Sequence, residues 1–190
     1  MKAIQTPLKD VLLLEPAIYR DNRGFFLESY NRKAMSALGI HYEFVQDNFS
    51  FSVEHVLRGL HYQVEHPQGK LVRVVEGEVL DVAVDLRRHS PTFGKWKSFI
   101  LSAFNSRQLW VPPGFAHGFY VRSNAAQFIY KTTTYYEPRL ERSIAWNDPD
   151  LKIDWQLRGD PVISTKDHAA SPFRSAALFE ERSLGARAGA

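Results

Sequence analysis

From Val79 to Leu86 the chain alternates without interruption. Leu80, Val82, Val84 and Leu86 fall on one face of an extended strand, and Val79, Asp81, Ala83 and Asp85 fall on the other. A period of two excludes a helix, in which apolar positions recur roughly every three to four residues. Residues 71–75 form a second apolar run, separated from the first by Glu76-Gly77-Glu78, so the pair reads as strand, turn, strand. Short β-branched and aromatic runs punctuated by Gly, Pro, Asn and Asp recur at residues 24–30, 56–63, 96–101, 108–111, 118–121 and 126–135. This spacing predicts an all-β sandwich or barrel.

Helical signals are few. Residues 31–38 read as a short helix, with Asn31 as N-cap and Gly39 as the C-terminal stop. Past Pro138 the chain is turn-rich, and a second short helix is expected over residues 175–182, followed by a flexible tail at 183–190. A 190-residue chain without a composition break is expected to form one domain, over residues 1–182.

No run approaches the roughly 20 apolar residues of a membrane span, and the N-terminal residues lack the apolar core of a signal peptide. A cytoplasmic location without membrane association is therefore expected. The absence of cysteine excludes disulfides, thiol nucleophiles and thiolate-ligated metals. The net charge is +3, but the basic residues are interleaved with acids, which suits a small anionic ligand better than nucleic acid.

Chemistry-bearing residues gather in four places. Arg58-Gly59-Leu60-His61-Tyr62-Gln63 ends one strand, and Gln68-Gly69-Lys70 opens the next. A histidine takes a proton near neutral pH, and an ammonium stabilises the negative charge left behind. A lone strand histidine is ordinarily a satisfied core residue, but Gln63 shares its face and Lys70 follows closely. In Pro112-Pro113-Gly114-Phe115-Ala116-His117-Gly118-Phe119, a Pro-Gly turn delivers a histidine at the start of a strand. Tyr130 is ordinarily a packing residue; facing the same cavity as His61, its phenol can return a proton to the opposite face of a carbanion. Asp167, in Ser164-Thr165-Lys166-Asp167, is ordinarily a turn or cap residue; paired with His61 it can fix the tautomer and stabilise an imidazolium.

The His61 and His117 segments resemble the paired motifs of cupin barrels. A metal cupin would carry histidine where this chain has Gln63, and the nearby Lys70 would repel a divalent ion, so no metal is expected. More specifically, the ordered set Arg23-Gly24-Phe25-Phe26-Leu27-Glu28-Ser29-Tyr30, Val45-Gln46-Asp47-Asn48, residues 58–63, Gln68-Gly69-Lys70, Ser90-Pro91-Thr92-Phe93-Gly94, residues 113–119 and Trp146-Asn147-Asp148-Pro149 resembles the dTDP-4-dehydrorhamnose 3,5-epimerases. That family implies a cupin-like jelly-roll barrel with short peripheral helices. It implies a substrate, dTDP-4-dehydro-6-deoxy-D-glucose, no cofactor, and a homodimer in which N-terminal strands cross to the partner.

By the same resemblance, His61 matches the base, Asp167 its dyad partner, Lys70 the group near the C4 oxygen and Tyr130 the proton donor. Arg23, Glu28, Gln46, Asp47, Asn48, Arg58, His117, Glu141 and Lys166 match positions that bind sugar or diphosphate, and Tyr136 the ring that stacks on thymine. Arg23 and Glu28 are expected to complete the neighbour's site. The alternatives are an epimerase acting at C3 or C5 only, a metal-dependent cupin enzyme, and a non-catalytic sugar-binding barrel.

Overall fold

The computed structural model describes residues 1–180. The chain runs through β1 (Lys2–Gln5), β2 (Leu12–Glu15), β3 (Ile18–Asp21), β4 (Gly24–Leu27), α1 (Arg32–Ala37), β5 (Gln46–Val53), β6 (Leu57–Gln63), β7 (Lys70–Glu76) and β8 (Glu78–Asp85). It continues with β9 (Trp96–Ser102), β10 (Gln108–Val111), β11 (Phe115–Val121), β12 (Ala125–Thr132), β13 (Glu141–Ser143) and α2 (Thr165–His168). Six strands form one antiparallel sheet in the order β1-β2-β10-β7-β12-β5, and five form a second in the order β13-β6-β11-β8-β9. The β3–β4 hairpin pairs with neither. The two sheets stay open at their edges and face one another as a jelly roll.

The alternation in β8 explains how the sheets stack. Val79 and Ala83 enter the layer between the sheets with Val72, Val74, Leu109 and Phe128 of the opposite sheet. Leu80, Val82, Val84 and Leu86 lie on the other side, with Ile144, Leu151, Trp155 and Phe179. The turn-rich C-terminal region thus covers the outer face of the five-stranded sheet. α1 covers part of the other outer face, where Met35 packs with Leu12, Leu14, Leu71 and Trp110. Its caps are those the sequence indicates: Asn31 Oδ1 accepts from the Ala34 N–H at 3.1 Å, and Gly39 follows at φ +85°.

Three expectations need correction. Residues 173–175 form a single 3-10 turn, after which Phe179 bridges Arg87, so residues 176–180 are not helical. The end of that expected helix and all of the expected tail lie outside the described residues. Two expected strands are shifted rather than absent: β11 begins at Phe115, placing His117 inside it, and β12 ends at Thr132, because Thr133 turns back to pair with Gly69. Four further strands, β1, β2, β3 and β5, and the short β13 are not among those expected from the sequence.

Where β6 and β11 cross, two glycines allow unusual proximity. A Cβ on Gly59 (φ +129°) would lie 2.6 Å from Gly118 Cα, and one on Gly118 would lie 2.6 Å from the Arg58 carbonyl oxygen. The register shifts between His117 and Phe119, which keeps His117 directly opposite His61. Gly59→Ala is expected to lower stability by about 3 kcal/mol, from overpacking together with the unfavourable backbone angle, measured as a shift in the urea midpoint.

Candidate active site

Two walls meet at one end of the inter-sheet space. β6 and β11 place His61, Gln63 and His117 on the inner face of the five-stranded sheet, while β7 and β12 bring Lys70 and Tyr130 from the other. Tyr130 packs against the inter-sheet core, with its ring 6.1 Å from that of Phe128. β13 pairs with β6 so that Glu141 stands beside Gln63.

Asp167 reaches this end by a separate route. Val162 pairs in parallel with Val56, and its carbonyl accepts from the Leu57 N–H at 3.0 Å, so the strap runs alongside the start of β6. Ser164 then caps α2 by accepting from the Asp167 N–H at 3.1 Å. This leaves Asp167 buried, with Oδ1 2.5 Å from His61 Nε2. Burial raises the Asp167 carboxyl, but hydrogen bonds from His61, Ser164 and the Gly59 backbone outweigh it and hold the group below the usual carboxylate range. An ionised Asp167 accepts a hydrogen bond from the Nε2–H of His61, so Nδ1 is left as the nitrogen free to take a proton.

His117 forms a second pair. Its Nε2 lies 2.8 and 2.9 Å from the two oxygens of fully buried Asp81. Asp81 did not stand out as a site residue in the sequence, although an acid on the inward face of β8 signals a buried partner.

Glu141 connects the remaining groups. Its Oε2 accepts from the Tyr136 hydroxyl at 2.6 Å and pairs with Lys166 Nζ at 2.5 Å. Burial raises the Glu141 carboxyl, yet those two donors, His61 and the Lys166 charge together keep it below its ordinary value. The same hydrogen bond to Glu141 is the main reason the Tyr136 phenol is pushed up to about 12. Burial, then the Glu141 charge, raises the Tyr130 phenol, while Arg58 opposes them. Burial lowers the Lys70 ammonium to about 8, against the pull of Glu141 and Asp81. Tyr130 is thereby kept protonated and Lys70 sits near the point of losing its charge.

The other expected residues divide. Gln46 and Asn48 pair with Thr132 and Tyr130 across β5 and β12, with Gln46 Nε2 donating to Asn48 Oδ1 at 2.9 Å. Asp47 points to the opposite face of that sheet, where Lys131 binds both its oxygens. Arg23 is held by Asp21 and Glu28 by Asn31, on and just beyond the unattached hairpin, so neither joins the others within this chain. Among the described residues no three or more His, Cys, Asp or Glu side chains are placed to hold a metal ion. No helix among them is long and apolar enough to cross a membrane.

An imidazole on one sheet, with a neutral phenol and an ammonium on the facing sheet, defines a cupin-like enzyme built for proton transfer. The family model described as dTDP-4-dehydrorhamnose 3,5-epimerase matches residues 5–175, and the chain belongs to that family. The dTDP-4-dehydrorhamnose 3,5-epimerase of Pseudomonas aeruginosa is 56% identical over 180 residues, covering 94% of this chain and 99% of that protein. The Salmonella typhimurium enzyme is 54% identical, covering 95% of this chain and 100% of its own. The crystal structure of a dTDP-6-deoxy-D-glucose-3,5-epimerase from Legionella pneumophila in complex with dTDP-4-keto-L-rhamnose superposes with a TM-score of 0.90 at 53% identity, covering 93% of this chain and 94% of that one.

Carbon-detected NMR of labelled lysine should show Lys70 titrating near pH 8. Because Glu141 supports its charge, Glu141→Gln should move that midpoint lower; an unchanged or higher midpoint would contradict the electrostatics described.

Proposed function

We propose that this enzyme inverts C3 and C5 of dTDP-4-dehydro-6-deoxy-D-glucose, giving dTDP-4-dehydro-L-rhamnose for dTDP-L-rhamnose synthesis. The observation that carries it is the His61–Asp167 contact at the five-stranded sheet facing the sheet that carries Tyr130 and Lys70. C3 and C5 both lie α to the C4 carbonyl, so one base and one oxyanion stabiliser serve both centres. His61 Nδ1 removes the proton, and the carboxylate of Asp167 stabilises the imidazolium formed. Lys70 stabilises the enolate oxygen at C4. Tyr130 then delivers a proton to the opposite face, and the stereocentre is inverted. Every step moves only protons, so the chemistry calls for no redox cofactor.

Arg58, Gln46, Asn48, His117, Glu141 and Lys166 bind the sugar and diphosphate, and Tyr136 carries the thymine ring. Arg23 and Glu28 serve a neighbouring copy. Support comes from the unattached β3–β4 hairpin, which exposes Tyr19, Phe25 and Phe26, and from the edge strand β5, which exposes Phe49, Phe51 and Val53. Apolar rows of this kind on an open edge are suited to a second copy, so the assembly is a homodimer with exchanged hairpins. The proposed location is the cytoplasm.

In D₂O, the wild type should place deuterium at both C3 and C5. Tyr130→Phe and His61→Asn should each lower kcat by about 10²–10⁴-fold with dTDP affinity nearly unchanged, and only His61→Asn should abolish solvent exchange. Full turnover in either variant would remove its assigned role. Strand exchange has its own test: co-expressed Arg23→Ala and His61→Ala chains should regain activity that neither homodimer has. A mixed dimer would contain one intact site if Arg23 acts in trans, and none if it acts within its own chain.

A further inference from the structure

Gln63 ends β6 on the inner face it shares with His61, and its side chain is buried. Both ends of its amide are spent on main chain that flanks one residue. Nε2 donates to the Tyr135 carbonyl oxygen at 3.3 Å, and Oε1 accepts from the Glu137 N–H at 2.9 Å. Tyr136 lies between those two groups. The same Nε2 donates to the His66 carbonyl oxygen at 2.7 Å, which ties in the loop leading to Lys70.

A second amide completes the arrangement, because Gln46 Oε1 accepts from the Tyr136 N–H at 2.9 Å. Tyr136 belongs to no strand or helix, and its ring is exposed. Without these contacts its backbone would be a free connector and its ring would sample many orientations. The register reinforces the effect: Gln63 is paired across β6 and β13 with Glu141, whose carboxylate accepts the Tyr136 hydroxyl. The Gln63 amide therefore brackets the backbone of Tyr136, and Gln63 stands directly opposite the residue that anchors the tyrosine's tip.

Resting on the assignment of Tyr136 to the thymine ring, we infer that Gln63 is a positioning residue for nucleotide binding, holding Tyr136 in place before the dTDP moiety arrives. It touches neither the sugar nor the reacting atoms. Its effect is preorganisation: the ordering of the 135–137 segment is completed on folding instead of being charged against the binding step. The position at which a metal cupin would carry a ligand histidine is here given over to fixing a loop.

The test is a double-mutant cycle by titration calorimetry with dTDP, alongside steady-state kinetics. Gln63→Leu and Tyr136→Ala should each weaken dTDP binding by about 10-fold, and the double variant should bind within about 3-fold of Tyr136→Ala. Gln63→Leu should raise KM with kcat within about 3-fold of wild type, a split that general destabilisation would not produce. Gln63→Glu preserves size and the acceptor for Glu137 while removing both donors, and should show the same loss; it decides the matter if Gln63→Leu does not fold.

Wild-type affinity in Gln63→Glu, or penalties that multiply in the double variant, would overturn the inference. Unchanged affinity in Tyr136→Ala would instead remove the thymine assignment, and the inference with it.

Discussion

The apolar layer between the two sheets is the contact on which the other features depend. Val72, Val74 and Phe128 from one sheet meet Val79, Ala83 and Phe119 from the other, and the Phe119 and Phe128 rings stack at 4.4 Å. Fully burying one such side chain is worth about 1.5–3 kcal/mol, so the layer sets the separation and orientation of the sheets. It also sets which residues face each other at the polar end. Tyr130 is on one wall because β12 carries Phe128 of the same face into this layer, and His61 is on the other because β6 turns Leu57, Leu60 and Tyr62 to the outer cluster and pairs with β11, which carries Phe115 and Phe119 into the layer. The glycine crossing of β6 and β11 refines the arrangement by placing His117 beside His61.

Within that frame, the environment sorts similar groups into different states. Burial shifts Lys70 downward and Tyr130 upward, because each loses the solvation of its charged form. Burial raises the Asp167 and Glu141 carboxyls, but the donors aimed at them prevail and hold both below the usual carboxylate range. The result is a neutral acid, a weakly held ammonium and two firm carboxylates within one small volume. Glu141 is the shared element, acting on Tyr130, Tyr136 and Lys70 at once, so its charge couples the proton donor to the proposed nucleotide platform.

Legibility varied along the chain for identifiable reasons. β8 and α1 were clear because alternation and capping are local signals. β5 was hidden because its polarity is reversed: Gln46, Asn48, Ser50 and Ser52 point inward, while Phe49, Phe51 and Val53 point out. α2 is a single turn that depends on Ser164, too short for any periodicity. The turn-rich segment after Pro138 gave no sign that it would supply Ile144, Leu151 and Trp155 as the cover of a sheet. The same principle applies to the site residues. His61, Lys70 and His117 stood out by type and spacing, whereas Asp81 was visible only as an acid on an inward face.

By itself, the sequence determined the all-β class, the positions of the strongest strands, the capped helix and the kinds of chemistry open to the chain, since a period of two, a cap and a side-chain type act over a few residues. Tertiary structure decided which of those groups meet. His61 and Asp167 are 106 residues apart in the chain, and Asp167 arrives only because Val162 docks beside Val56. Asp47 sits between Gln46 and Asn48 yet faces the other way, because strand geometry sends alternate side chains to opposite faces and the packing of the sheet chooses which face is the cavity. The task given to Gln63 was set in the same way, by loops that converge on its amide from two distant parts of the chain.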